Sequence, residues 1–176
     1  YTLPNAFPAA ANPPGPTDVY LRAMDMEGVT SLRATATDSI EGGIKVVSGR
    51  FLVPNVHGSE LLRLPIGGAA QYFNGTRWVT SSTDSVSKII APTNVQFSNF
   101  KKNLTAVSVV GAPVTETVSN GVCPSIGGCF RLEAPGAGNI GSVDIQLISP
   151  LWLPSSTGRA TFGIYKSKFI YLREMY

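Results

Sequence analysis

Residues 69–80 read AAQYFNGTRWVT. Two short runs of apolar and aromatic residues, AAQYF and RWVT, flank Asn74-Gly75. Asn-Gly between such runs is the strongest short-range hairpin signal, because both residue types tolerate the positive φ that tight hairpin turns need. The same pattern extends outward in both directions. Upstream, TDVYLRAMD sets Val19, Leu21 and Ala23 against Tyr20, Arg22 and Met24, and GIKVVSGRFLVPN carries Ile44, Val46, Phe51 and Val53 around Gly49. VTSLRATATD and ELLRLPIG add two more short segments, and KIIAPTNVQFSNF, NLTAVSVVGAPVTETVS, FRLEAPG, SVDIQLISPLWLP, GRATFGIYK and KFIYLREMY follow downstream. Turn residues recur at about the 8–12-residue spacing of a sandwich or barrel. No window holds a 3.6-residue apolar period over three turns. The expected fold is all-β, an antiparallel β-sandwich of Ig-like or jelly-roll-like type.

Composition agrees with this reading. Of 176 residues, 18 are Gly and 13 are Pro. Charged residues make up 14%, against roughly 25% in an average domain, and 43% are hydrophobic. A disordered chain has fewer apolar and more charged residues. A helical bundle is richer in Ala, Glu, Lys, Leu and Arg, and collagen needs Gly at every third position. The length suits one domain. Residues 1–16, YTLPNAFPAAANPPGP, contain five prolines and should form an extended tail. That tail is expected to dock on its own domain or on a neighbouring subunit, and residues 17–176 to form the sandwich. The start at Tyr1 suggests a processed chain or a piece of a longer one.

Charge and hydropathy narrow the partners. The 14 basic and 11 acidic residues give a net charge of +3. The basic residues are scattered, with only Lys101-Lys102 adjacent, and nucleic-acid binding normally shows a denser basic stripe. No run approaches the roughly 18 apolar residues of a transmembrane helix. The expectation is no nucleic acid and no membrane span. Cys123 and Cys129 flank a short Pro- and Gly-containing loop. A disulfide is the favoured reading and implies an oxidising compartment; a reduced pair and a metal or redox role are the alternatives.

Chemistry-bearing residues are sparse. His57 is the single histidine, and Ser59 and Glu60 are too close to it in sequence to complete a triad. Asp25 and Glu27 lie in MDMEGV, which reads as a turn rather than as a catalytic or Ca²⁺-binding pair. GAGNIG, residues 136–141, spells a dinucleotide fingerprint, but β-patterned residues follow it where that motif requires a helix. It reads instead as a glycine-rich hairpin connection. Asn74-Gly-Thr76 and Asn103-Leu-Thr105 match the N-glycosylation pattern. Tyr72, Phe73 and Trp78 gather about the Asn74-Gly75 turn, and Trp152 lies in PLWLP. Such aromatics are more often cross-strand packing pairs, but Tyr72, Trp78 and Trp152 are the candidate platform for a glycan. No catalytic residue, metal site or cofactor is expected.

Three stretches carry a family pattern: residues 43–85, from GIKVVSGRF to SSTDS; residues 130–153, FRLEAPGAGNIGSVDIQLISPLWL; and residues 158–176, GRATFGIYKSKFIYLREMY. Their succession resembles the C-terminal region of the large surface proteins encoded with mannose-sensitive haemagglutinin pili, the Q component. That region also occurs as an uncharacterised domain in many bacterial surface proteins. The resemblance spans about residues 42–176. It implies no catalytic activity, so no catalytic residue carries over. Two departures stand out. Val86 follows Asp84-Ser85 where the family often has a cysteine, and His57 stands where an aromatic is common.

The resulting expectation is a non-enzymatic, extracellular structural protein at the bacterial cell surface, a subunit or module of a pilus or other filament. Self-association, or union with other pilus proteins, would proceed by strand addition. Leu3 and Phe7 in the tail and Ile170 and Leu172 in the C-terminal strand pattern are the candidate assembly contacts. The alternative is a carbohydrate-binding adhesin domain with a glycan as partner.

Overall fold

The computed structural model describes residues 13–21, 23–29, 42–110, 114–123, 127–148 and 153–163. These residues form strands and turns, with no helix among them. The strands are β1 (Thr17–Leu21), β2 (Gly42–Val46), β3 (Gly49–Leu52), β4 (Val56–Gly58), β5 (Leu64–Ile66), β6 (Ala69–Phe73) and β7 (Trp78–Thr80). They continue as β8 (Lys88–Ala91), β9 (Val95–Lys102), β10 (Val114–Thr117), β11 (Phe130–Leu132), β12 (Gly141–Leu147) and β13 (Gly158–Phe162). The fold is an all-β sandwich. A four-stranded sheet in the order β4-β13-β12-β9 and a three-stranded sheet β3-β6-β7 are accompanied by the pairs β5–β11, β8–β10 and β1–β2.

Side-chain alternation explains why such short strands hold. β12 sends Val143, Ile145 and Leu147 into the core, and β13 sends Ala160 and Phe162. β3 and β6 contribute Phe51 and Ala70, β5 and β11 contribute Leu64, Ile66, Phe130 and Leu132, and β8 contributes Ile89 and Ala91. All belong to one continuous cluster. A two-stranded sheet is marginal by itself. Full burial of each Leu, Ile or Phe is worth about 1.5–3 kcal/mol, so the shared core stabilises the small pairs. No described side chain of the β1–β2 ribbon belongs to this cluster.

The two larger sheets are also joined by a pair of serines. β13 begins at Gly158, opposite Ile145, so strand pairing on that side of β12 stops short of Leu147. Ser155 takes the vacant place. Its Oγ accepts from the Leu147 N–H at 2.8 Å and donates to the Leu147 carbonyl at 3.1 Å. Ser156 Oγ accepts from the Val53 N–H at 2.9 Å, just past the end of β3. Between them the main chain bonds Phe51, whose N–H donates to the Pro154 carbonyl and whose carbonyl accepts from Ser156.

Several local expectations change. The hairpin β6–β7 is present, pairing Phe73 with Trp78, but Asn74-Gly75 is not a two-residue turn. Asn74 Oδ1 accepts from the N–H groups of Thr76 and Arg77, at 3.0 and 2.9 Å, closing a four-residue loop through its side chain. The tight Asn-Gly turn lies at Asn120-Gly121, where both residues have positive φ, 50° and 76°, and Ser119 and Val122 exchange both hydrogen bonds. GAGNIG is not a hairpin connection. It joins β11 to β12, which belong to different sheets, and a strand follows it. Among the described residues of NLTAVSVVGAPVTETVS only Val114–Thr117 is a strand; Val109 makes an isolated bridge to Leu132. Among the described residues one strand pair of the sandwich is parallel, β4 with β13.

The last residues of the Pro-rich tail lie against the chain's own domain. Pro13 is buried, the Ser48 hydroxyl donates to the Pro14 carbonyl at 2.9 Å, and Pro16 sits beside Gly75. Residues 1–12, with Leu3 and Phe7, lie outside the described residues, as do Trp152, Ile170 and Leu172.

Candidate functional site

The outer face of the four-stranded sheet carries the most organised polar chemistry. Residues alternate between faces along a strand. With Val143, Ile145, Ala160 and Phe162 turned inward, Ser142, Asp144, Arg159 and Thr161 turn outward, and register sets Asp144 opposite Arg159. Asp144 is nonetheless only 7% exposed. Arg159 Nε donates to its Oδ1 at 2.7 Å and Nη2 to its Oδ2 at 3.1 Å. Asn99 Nδ2 adds a third bond to Oδ2 at 2.9 Å.

The third bond depends on an irregularity in β9. Pairing between β9 and β12 shifts between Ser142 and Asp144, and Asn99 in the bulge has φ 52°. Asparagine is one of the few residues with a side chain that tolerate this left-handed conformation, and a bulge re-aims the side chain it carries. The hydrogen bonds from Arg159, then that from Asn99, hold the Asp144 carboxyl below its usual range; burial opposes them, and the positive charges of Arg159 and Lys101 assist. The same pairing raises the Arg159 guanidinium.

Edge strand β4 completes the surface. It runs parallel to β13 with Thr161 level with His57. Asn55 Oδ1 accepts from the Arg159 backbone N–H at 2.8 Å, so its amide nitrogen is left to face elsewhere. His57 Nε2 lies 2.6 Å from the Gly163 carbonyl. A carbonyl only accepts, so Nε2 carries the proton and Nδ1 of the neutral ring is an acceptor. Asn55, Val56, His57, Arg159 and Thr161 together line a shallow, open depression.

The residues singled out from sequence are dispersed. Tyr72 pairs with Val79 and Phe73 with Trp78, so alternation puts Tyr72 and Trp78 on opposite faces of their sheet. Trp78 stacks at a tilt on Phe73, with centroids 5.6 Å apart. Arg50 lies over its ring at 4.3 Å and donates from Nε to Gln71 Oε1. Burial lowers the Arg50 guanidinium. Cys123 and Cys129 form a disulfide, with Cα atoms 5.1 Å apart. Asp25 Oδ1 accepts from the N–H groups of Glu27 and Val29, as befits a turn. Among the described residues, no three His, Cys, Asp or Glu side chains gather as a metal site, and no helix is long and apolar enough to cross a membrane.

The DUF6701 family, fourth domain, matches residues 47–175. The chain belongs to this family. The DUF6701 fourth domain takes in every strand from β3 to β13, the serine junction and the whole polar face, and it leaves β1 and β2 outside. No curated protein and no solved structure matches the chain. Sequence reasoning missed Asp144, Arg159, Asn99, Asn55 and Thr161. The one available signal was a charged residue at outward positions of otherwise apolar strands, in SVDIQL and GRATF.

Proposed function

We propose that this chain is a non-enzymatic structural module of a bacterial surface filament such as a pilus, acting outside the cell. It joins copies of itself or other surface proteins by strand addition. The observation that carries the reading is the β1–β2 ribbon. It precedes the family region, none of its described side chains joins the buried core, and it leaves Ile44 63% exposed. A ribbon whose described side chains stay outside the core of its own domain is placed to add to a neighbour, where backbone pairing supplies affinity and exposed side chains supply selectivity. The resemblance to the pilus Q component and the disulfide, which suits an oxidising compartment, support the same reading.

Ile44→Glu tests it. The change falls on an exposed side chain and should leave the fold intact by circular dichroism, while light scattering and electron microscopy report weakened self-association. Wild-type protein that stays monomeric at high concentration, alone and with its co-encoded surface proteins, would sink the proposal. A second reading, a carbohydrate-binding adhesin domain, is favoured by the depression beside Arg159.

A further inference from the structure

We propose that the depression lined by Asn55, Val56, His57, Arg159 and Thr161 binds an acidic sugar, with Arg159 taking the carboxylate. The inference rests on the second reading above and supplies its ligand class.

Asp144 holds Arg159 through Nε and Nη2. This side-on grip uses one edge of the guanidinium. The opposite edge, formed by Nη1 and the second hydrogen of Nη2, has no partner among the described residues. A guanidinium edge of that kind matches the two oxygens of a carboxylate. The arrangement is also stiff. Asp144 is itself fixed by Asn99, and the Arg159 backbone is tied to Asn55. Half of the Arg159 side chain, 49%, remains exposed, so the ordering is in place before a ligand arrives.

The remaining lining separates a sugar acid from a simple anion. Asn55, with Oδ1 committed to the Arg159 N–H, keeps its amide nitrogen as a further donor in the lining. His57, with Nε2 committed to the Gly163 carbonyl, offers Nδ1 as an acceptor for a hydroxyl, and the Thr161 hydroxyl both gives and accepts. Val56 lies level with inward-facing Ala160 and packs on the core, so the aliphatic surface for ring C–H groups comes from the Thr161 methyl and the methylene stem of Arg159. Donors for a carboxylate, an acceptor for a hydroxyl and a small apolar contact together describe a hexuronic acid. The site stands on paired strands, whose spacing is fixed by the sheet.

The test is titration of the full chain with digalacturonate, followed by amide NMR shifts. Cellobiose and acetate serve as comparators. Saturable shifts confined to Asn55, His57, Arg159 and Thr161 are expected, with cellobiose and acetate each at least tenfold weaker. Arg159→Lys keeps a charge for Asp144 but loses the second edge, and should weaken digalacturonate binding at least tenfold. Asn55→Ala and Thr161→Val, both at the surface, should each weaken it severalfold with the fold unchanged. Equal affinity for cellobiose at these residues would overturn the carboxylate assignment and leave the carbohydrate reading standing. Equal affinity for acetate would overturn the sugar. Absence of shifts at tens of millimolar ligand would overturn both.

Discussion

Ser155 is a single hydroxyl set between two sheets, and removing it should cost more than its size suggests. In Ser155→Ala the Leu147 N–H loses its 2.8 Å acceptor and the Leu147 carbonyl its 3.1 Å donor. Ser155 is 4% exposed and Leu147 also 4%, so bulk water does not replace the lost partner. A neutral hydrogen bond contributes about 0.5–1.5 kcal/mol net, and a buried donor left unsatisfied costs about 1–3 kcal/mol. Carbonyls tolerate the loss better than N–H groups, so about 2–3 kcal/mol is expected in total. Small proteins lose about 1–3 kcal/mol of stability per molar urea, and about 2 suits a domain of this length. The urea midpoint, followed by tryptophan fluorescence, should therefore fall by about 1–1.5 M with its slope unchanged. Ser82→Ala, at an exposed position, is the control and should move the midpoint little. If Ser155→Ala falls within about 0.3 M of that control on the same scale, the hydroxyl is not standing in for a strand residue and the account of the junction is wrong.

Three further outcomes follow from other parts of the fold. Because the native Asp144 carboxyl sits below its usual range, the unfolded chain binds the proton first. Its contribution to stability is then complete above about pH 4 and is lost as pH falls through the lowered native value; Asp144→Asn should flatten that acid limb in denaturant midpoints measured from pH 5 downward. Gly121 has φ 76°, and a Cβ there would strike the Ser81 carbonyl, whereas a Cβ on Gly67 meets nothing. Gly121→Ala should cost about 1–3 kcal/mol in a thermal melt, with Gly67→Ala near neutral. Reducing the Cys123–Cys129 bridge, which closes a loop of sequence separation 6, should cost about 2 kcal/mol, read as a fall in melting temperature of about 4–8 °C.

How far the sequence disclosed this molecule depends on whether the determinant was local. Period-two alternation made the strand character of AAQYF, SVDIQL and GRATF legible, because inward and outward residues differ in polarity along one strand. The Cys123–Cys129 pairing was legible for the same reason, since a short Gly- and Pro-containing loop holds its ends close. Pairing was not legible. Tyr72 and Trp78 look like neighbours on the page, but any hairpin loop of even length sends them to opposite faces, and the four-residue loop closed by the Asn74 side chain sets Trp78 against Phe73 instead of Gln71. Asn120-Gly121 carries the same dipeptide and makes the tight turn that Asn74-Gly75 does not. The polar face was hidden altogether: Asp144, Arg159, Asn99 and Asn55 come from four separate strands or strand ends. Only the sheet order and the bulge at Asn99 bring them together.

The parallel pairing of β4 with β13 has a consequence for how the chain folds. Val56 finds Ala160, and His57 finds Thr161, across most of the length of the domain. Contacts this distant in sequence form late, because a long loop must close before they give any return. During synthesis from the N-terminus, β4 waits as an unsatisfied edge until almost the whole family region has emerged. The surface between Asn55 and Arg159 does not exist before that moment. Anything that recognised it would therefore recognise only chains in which β4 and β13 had already paired.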